Sequence, residues 1–233
     1  MEFIEILISL LTLTVLEVVL GIDNLVFLAI ISNRLPQHQQ KKARRFGLTL
    51  AWVTRLLLLF SAIWLTKLVH PFLTIFNFDL SGRDLFLMIG GLFLLTKATQ
   101  EIHAELEPIK KEKNISVKFA SFSMIVAQIA ILDIVFSLDS VLTAIGLTDR
   151  FWLMAVAITF AIFTMIFLSE PLSRFIERHP TIKMLALSFL IMIGMVLVAD
   201  GFHFHVPRGY VYVAMAFSLF VEVLNMTVRK RKR

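Results

Sequence analysis

Glu17 and Asp133 each open the same polar pattern inside an apolar stretch. One copy reads Leu16-Glu17-Val-Val-Leu-Gly21-Ile-Asp23-Asn24, the other Leu132-Asp133-Ile-Val-Phe-Ser137-Leu-Asp139-Ser140. Each places a carboxylate, a small residue four positions on, an Asp after six and an amide or hydroxyl after seven. The offset between the copies is 116 residues throughout. A carboxylate within a bilayer costs about 2.5–3.5 kcal/mol per Asp on insertion scales, so a partner or a function must retain it. Glu17, Asp23, Asn24, Asp133, Asp139 and Ser140 form an all-oxygen set, which suits the hard cations Mg²⁺, Ca²⁺ and Mn²⁺. Two of the four carboxylates balance a divalent ion. The others, crowded by like charges, favour protons. Exchange of protons for metal is therefore expected, with transport coupled to pH.

On a regular helix, positions i, i+4 and i+7 share a face. Glu17, Gly21 and Asn24 line up, as do Asp133, Ser137 and Ser140. Asp23 and Asp139 lie about 120° away. Two readings follow. Either the helices unwind near Gly21 and Ser137, which gathers every group and adds backbone carbonyls as ligands, or the two layers of acid face different partners. A plainer alternative pairs each acid with a buried base, and Arg55 and Lys97 are the candidates. Lys97 and Asp200 end corresponding spans. They could pair or gate the site, and a plain interfacial position serves equally well.

The elements that must position these groups are membrane helices. The chain has 233 residues, is 58% hydrophobic and 17% charged, and has a mean hydropathy of +0.83. Soluble domains are about 45–50% apolar and about 25% charged. A span needs about 20 mostly apolar residues, and seven candidates fall near 6–31, 46–69, 84–100, 119–147, 151–170, 183–201 and 209–228. The gaps alternate in charge. Residues 33–46 hold Arg34, Lys41, Lys42, Arg44 and Arg45, and 70–83 are nearly neutral. Residues 110–118 are basic, Asp149-Arg150 is neutral, 172–183 is basic, 202–208 is nearly neutral and the tail after Val228 is basic again. The positive-inside rule then puts the N-terminus outside and the C-terminus in the cytoplasm. The expected fold is an all-α polytopic membrane protein in one transmembrane domain. Repeat 1 covers about 6–100, an inverted repeat 2 about 119–201, and an extra helix about 209–228. Three spans per copy make the copies antiparallel, with a shared site near the midplane. Small residues at four-residue spacing, Gly47/Ala51 and Ala157/Ala161, and the matching Gly90-Gly91 and Gly194 stretches are weaker traces of duplication. The glycine pair most simply permits close helix approach.

Composition also excludes. Without cysteine there is no disulfide and no thiolate metal site. The net charge of +6 clusters in gaps and tail, where it orients a membrane protein and does not call for nucleic acid. Met1-Glu-Phe-Ile-Glu5 lacks the basic start of a signal peptide, so the first apolar run is expected to remain as a helix. No Walker loop, Gly-x-Ser-x-Gly or His-Glu-x-x-His pattern occurs, and no catalytic role or bound cofactor is expected. Trp52, Trp64, Trp152, Tyr210 and Tyr212 read mostly as helix-end anchors. Glu222 and Asn225 read as an interfacial pair, and His203 and His205 as residues of an exposed loop.

With these motifs the chain resembles the TerC (tellurite-resistance) family of bacterial membrane proteins, which is related to the lysine-exporter superfamily. The resemblance extends through Glu177-Arg-His-Pro-Thr-Ile-Lys-Met-Leu-Ala-Leu-Ser-Phe189 and Pro207-Arg-Gly-Tyr-Val-Tyr-Val-Ala-Met-Ala-Phe217 to Val221-Glu222-Val-Leu-Asn225. It is closest to members that consist of the membrane domain only, so no regulation by appended cytoplasmic domains is expected. The resemblance implies export of a divalent cation, Mn²⁺ first and Ca²⁺ or Mg²⁺ as alternatives, across the bacterial cytoplasmic membrane. It carries the ligand role to Glu17, Asp23, Asn24, Asp133, Asp139 and Ser140. An oxyanion such as tellurite fits four carboxylates poorly. Two other readings stand beside it: a non-transporting membrane partner of a secretion or stress complex, and an exporter of a small organic cation or amino acid. The last needs fixed positive groups near the motifs, and Arg55 and Lys97 are the ones at hand.

Overall fold

The computed structural model describes residues 2–61, 71–75, 78–106, 121–147 and 150–231. Among them are seven helices and one hairpin: α1 (Glu2–Ser32), α2 (Gln37–Phe60), β1 (Pro71–Ile75), β2 (Phe78–Ser81), α3 (Gly82–Leu106), α4 (Phe122–Leu147), α5 (Phe151–Arg178), α6 (Pro180–Gly201) and α7 (Arg208–Arg231). Five of these are long and apolar enough to cross a membrane: α1, α3, α5, α6 and α7. Within α4 the stretch Phe122–Leu138 forms a shorter apolar helix. The chain is a polytopic, almost wholly helical membrane protein, as its apolar runs require. Large apolar side chains stand fully outward, such as Phe167 at 87% and Val213 at 70% exposure. Water would not tolerate so much apolar surface, and lipid tails cover it instead.

Several boundaries differ from the hydropathy reading, and α3, expected to end near 100, runs on to Leu106, so that Lys97 lies within the helix and does not end it. The second helix was expected at 46–69 but starts at Gln37 and is closed at Ser61, whose N–H returns to Leu57 O at 2.9 Å. Gln, Lys, Ala and Arg are good helix formers, so the basic gap winds into helix directly after Pro36. Residues 62–70, which include Trp64, lie outside the described residues. The fifth span runs past 170, through Pro171, to Arg178. Membrane helices accept an internal proline because neighbours re-satisfy the freed carbonyl. His179 alone then separates α5 from α6, which has Pro180 in its first turn. Finally, the neutral gap at 70–83 contains an antiparallel hairpin with Leu73 opposite Leu80 and Ile75 opposite Phe78.

The chain divides into two compact units. Unit 1 holds α1, α2, the hairpin, α4 and α5 as far as Arg174; unit 2 holds α3, α6, α7 and the end of α5. Small residues build the interior of each. In unit 1 Ala43, Ala51, Ala157 and Ala161 are at most 2% exposed. A Cβ on Gly47 would meet Ile129 at 2.8 Å. In unit 2 a Cβ on Gly91 would lie 2.6 Å from Gly194 O, and one on Gly194 would lie 3.0 Å from Gly91 O. Close backbone contact of this kind is how membrane helices gain packing energy without a hydrophobic drive between them.

Candidate functional site

Both motif helices are continuous: α1 passes through Gly21 and α4 through Ser137 without interruption. The unwinding that would have gathered all the acids does not occur. Gly21 serves packing, since a Cβ there would meet Met165 Sδ at 2.6 Å. The Ser137 hydroxyl donates to Asp133 O at 2.6 Å, a bond back onto its own helix. A continuous helix keeps positions 23 and 139 about 120° from the Glu17 and Asp133 stripes. The side chains of Asp23, Asp139 and Ser140 lie outside the described residues.

Glu17 and Asp133, the equivalent first acids of the two motifs, come together in unit 1. They are 3% and 5% exposed, and Arg55 between them is 2% exposed. The Arg55 guanidinium donates from Nη2 to Asp133 Oδ1 at 2.7 Å and from Nε to Oδ1 and Oδ2 at 3.2 and 3.4 Å. Its Nη1 donates to Glu17 Oε2 at 3.0 Å. The planar fork thus grips one carboxylate side-on and reaches the other with its free edge, geometry a lysine could not copy. Thr54 Oγ1 and Asn24 Nδ2 each donate to Asp133 at 3.5 Å. The Asn24 Oδ1 atom is buried without a hydrogen-bond partner. Beside it α1, α2 and α4 leave a cavity of about 10 Å³ lined by Asn24 and Asp133 together with Phe27, Leu48, Ala51 and Leu132. That is about the room one water-sized body needs.

The pairing alternative therefore describes Glu17 and Asp133: a buried base, Arg55, stands between them. Lys97 takes no part in it. It belongs to unit 2, where its Nζ lies 5.9 Å from the ring of Phe93. Asp200, also in unit 2, is 9% exposed, and no ion pair joins it to Lys97. The described residues contain no cluster of three or more His, Asp or Glu side chains arranged to hold a metal.

Several interacting residues escaped the sequence reading. Arg44, counted there as a loop charge, is buried and donates to Ser32 Oγ at 3.2 Å and Ser173 Oγ at 3.1 Å. The Ser173 hydroxyl passes on to Asn33 Oδ1. The signal was present: stepping back from Arg55 by helical spacing through Ala51 and Leu48 reaches Arg44 on the same buried stripe. Trp52 is not a helix-end anchor. Its Nε1 donates to Thr159 Oγ1 at 3.1 Å, joining α2 to α5. His203 adopts a left-handed φ of 64° and its Nε2 lies 3.0 Å from Oδ2 of buried Asp84, so the loop is tied to the first turn of α3.

Apolar helices around a buried carboxylate–arginine–carboxylate triad define a polytopic membrane protein with an ionisable centre, the usual mark of a substrate or ion pathway. Residues 3–233 match the model of the integral membrane protein TerC family, and the chain belongs to that family. It is 49% identical over 221 residues to the UPF0053 inner membrane protein YgdQ of Escherichia coli K12, covering 95% of this chain and 92% of that protein. A UPF0053 protein of Haemophilus influenzae is 46% identical over 223 residues, or 96% of this chain and 94% of the relative. The UPF0053 inner membrane protein YoaE of Escherichia coli K12 is 50% identical over 222 residues, and there the chain spans only 43% of the relative's length. No solved structure gives a significant match.

Proposed function

We propose that the protein is a secondary transporter that exports a divalent cation, Mn²⁺ first, across the bacterial cytoplasmic membrane, with its N-terminus outside. The observation that carries this reading is the meeting of Glu17 and Asp133, equivalent acids of the two motifs, in the buried interior of unit 1. One arginine against two ionised carboxylates leaves a negative charge over. A second acid beside an arginine that already has one is a group that a cation or proton pathway would use. The orphaned Asn24 Oδ1 and the small cavity next to it add an oxygen ligand and space. Asp23, Asp139 and Ser140 belong to the proposed ligand set from the same helices, and bringing in the two Asp side chains requires α1 and α4 to unwind near Gly21 and Ser137 on loading, because the continuous helices hold those positions about 120° away. Family membership supports transport in general, and the inner-membrane names of the relatives support the location. The inverted repeat belongs to the same proposal, as do Asp200 and Lys97 as gating groups.

The test is metal-resolved flux in proteoliposomes of the purified chain, with and without a pH gradient. Mn²⁺ efflux is expected, faster with protons supplied from the opposite side. Asp133→Asn is expected to lower it by at least tenfold, on the order of 1.4 kcal/mol, measured on the fraction of the variant that purifies as folded protein. The double variant Asp23→Asn with Asp139→Asn should do the same. Vesicles that move no Mn²⁺, Ca²⁺ or Mg²⁺ under either gradient would sink the proposal.

A second reading is favoured by one observation: Arg55 already pairs both acids, as in a purely structural lock. The protein would then be a non-transporting membrane partner. In that case neutralising the acids would alter stability and leave nothing to measure in flux. Export of an amino acid has less support, because Arg55, its expected carboxylate anchor, is occupied by Glu17 and Asp133.

A further inference from the structure

We propose that Arg55 is a tethered internal cation: it occupies the cargo carboxylates whenever the site is unloaded and supplies one of the two positive charges they need, so that the empty transporter resets with one proton in place of two. The inference rests on the reading of Glu17 and Asp133 as cargo ligands.

The argument begins with what occupies the two carboxylates. Arg55 uses three of its five N–H donors on them, two in a fork on Asp133 and one on Glu17. Asp133 is thereby held on the side that faces Arg55, and its other contacts, from Thr54 and Asn24, are long at 3.5 Å. A guanidinium cannot shed its charge in a protein. A divalent ion bound between the same two carboxylates would lie against that fixed positive charge in a low dielectric, where like charges repel far more strongly than in water. Metal and guanidinium therefore exclude one another, and loading requires the fork to swing off Asp133.

Exclusion has a consequence for the cycle. A buried pair of bare carboxylates is too costly to move through the membrane unloaded. A transporter with such a site must return bearing either protons or another metal ion. Arg55 builds one of those charges into the chain, and the remaining carboxylate takes a single proton. Arg55 sits on α2, where Leu48, Ala51, Arg55 and Leu59 form a buried stripe, so it is anchored in the same packed unit as the acids it pairs. Apparent metal affinity is lowered by the fraction of time the fork is closed, which is a tax on binding that removal of the fork abolishes.

The role differs from a structural one in the sign of its effect. In the purified full-length chain, Mn²⁺ binding is followed by loss of the electron-paramagnetic signal of free Mn²⁺. In proteoliposomes, radiolabelled Mn²⁺ is followed in two modes: net efflux into metal-free medium, and one-for-one exchange with Mn²⁺ outside. Arg55→Gln is expected to bind Mn²⁺ about tenfold tighter or more. It should keep exchange and lose net efflux by at least about tenfold, because its empty site then needs a second proton to reset. Unchanged or weaker binding, or equal loss of exchange and net efflux, would overturn the inference. Should Arg55→Gln fail to fold, Arg55→Lys serves in its place. Lysine keeps the charge and lacks the fork, so Mn²⁺ should bind a few-fold tighter with net efflux retained, and equal or weaker binding overturns the inference again. Wild-type vesicles that move Mn²⁺ in neither mode would remove the cargo reading itself. A wild type active in both modes beside an Arg55→Gln protein that matches it in affinity and net efflux would remove only the tethered cation.

Discussion

Arg55 keeps a full charge where bulk water cannot reach it, and it does so because two carboxylates answer it. Removing one member of such a buried set costs about 3–5 kcal/mol, since the others are left charged and unpaired. Arg55→Met is therefore expected to lower the melting temperature of the detergent-solubilised protein steeply. Replacing the triad together, Glu17→Gln with Arg55→Met and Asp133→Asn, should recover most of that loss while abolishing Mn²⁺ flux. A triple variant as unstable as the single one would mean the three residues do not act as an electrostatic unit. The acids and their candidate base were legible in the sequence, because charge inside an apolar run stands out. Arg44 was passed over despite its helical spacing from Arg55, because charge counting places basic residues of a gap in water. Its burial depends on α2 beginning at Gln37 and on the hydroxyls of Ser32 and Ser173, which approach only in the fold.

At the scale of elements, helix contacts are set by the size of what lies between them. A methyl on Gly91 would press on the Gly194 backbone, which cannot give way, whereas a methyl on Gly21 would press on the tip of the flexible Met165 side chain. Gly209, near the start of α7, has nothing within 4 Å of such a methyl. Gly91→Ala should therefore cost about 1–3 kcal/mol through overpacking and Gly21→Ala less. Gly209→Ala should be neutral or stabilising by up to about 1 kcal/mol. Thermal unfolding of the three variants checks the order, and a Gly209→Ala loss larger than that of Gly91→Ala would contradict the packing. Long apolar helices were legible because the bilayer demands length and little else. Their ends were less so. Hydropathy cannot register a polar helical turn such as 37–46, a helix that passes through Pro171, or a hairpin set by β pairing between Leu73 and Leu80. Nor does apolar periodicity separate the lipid face of a membrane helix from its packed face, since both are apolar. Trp52 was misplaced for that reason.

The whole molecule draws each of its two units from both halves of the sequence. Unit 1 combines α1 and α2 with α4 and most of α5, and unit 2 combines α3 with α6 and α7. The paired motifs hinted at two related halves, but neither motif nor hydropathy could reveal that the halves would be shared out between units. This division predicts the behaviour of fragments. Residues 1–106 alone should be degraded or aggregate in the membrane, because α1 and α2 would lack α4, and Gly91 would lack its contact at Gly194. Co-expression with residues 107–233 should restore a complex that co-purifies. A stable, monodisperse 1–106 fragment would refute this.

Synthesis on the ribosome gives the same division a direction in time. Glu17 and Arg55 enter the bilayer well before Asp133 has been made. Through that interval the first half has one acid, Glu17, to answer its arginine. The arrival of α4 then adds the second acid, Asp133. The second acid thus reaches Arg55 only with the helix that carries it, so it is paired as soon as it is buried.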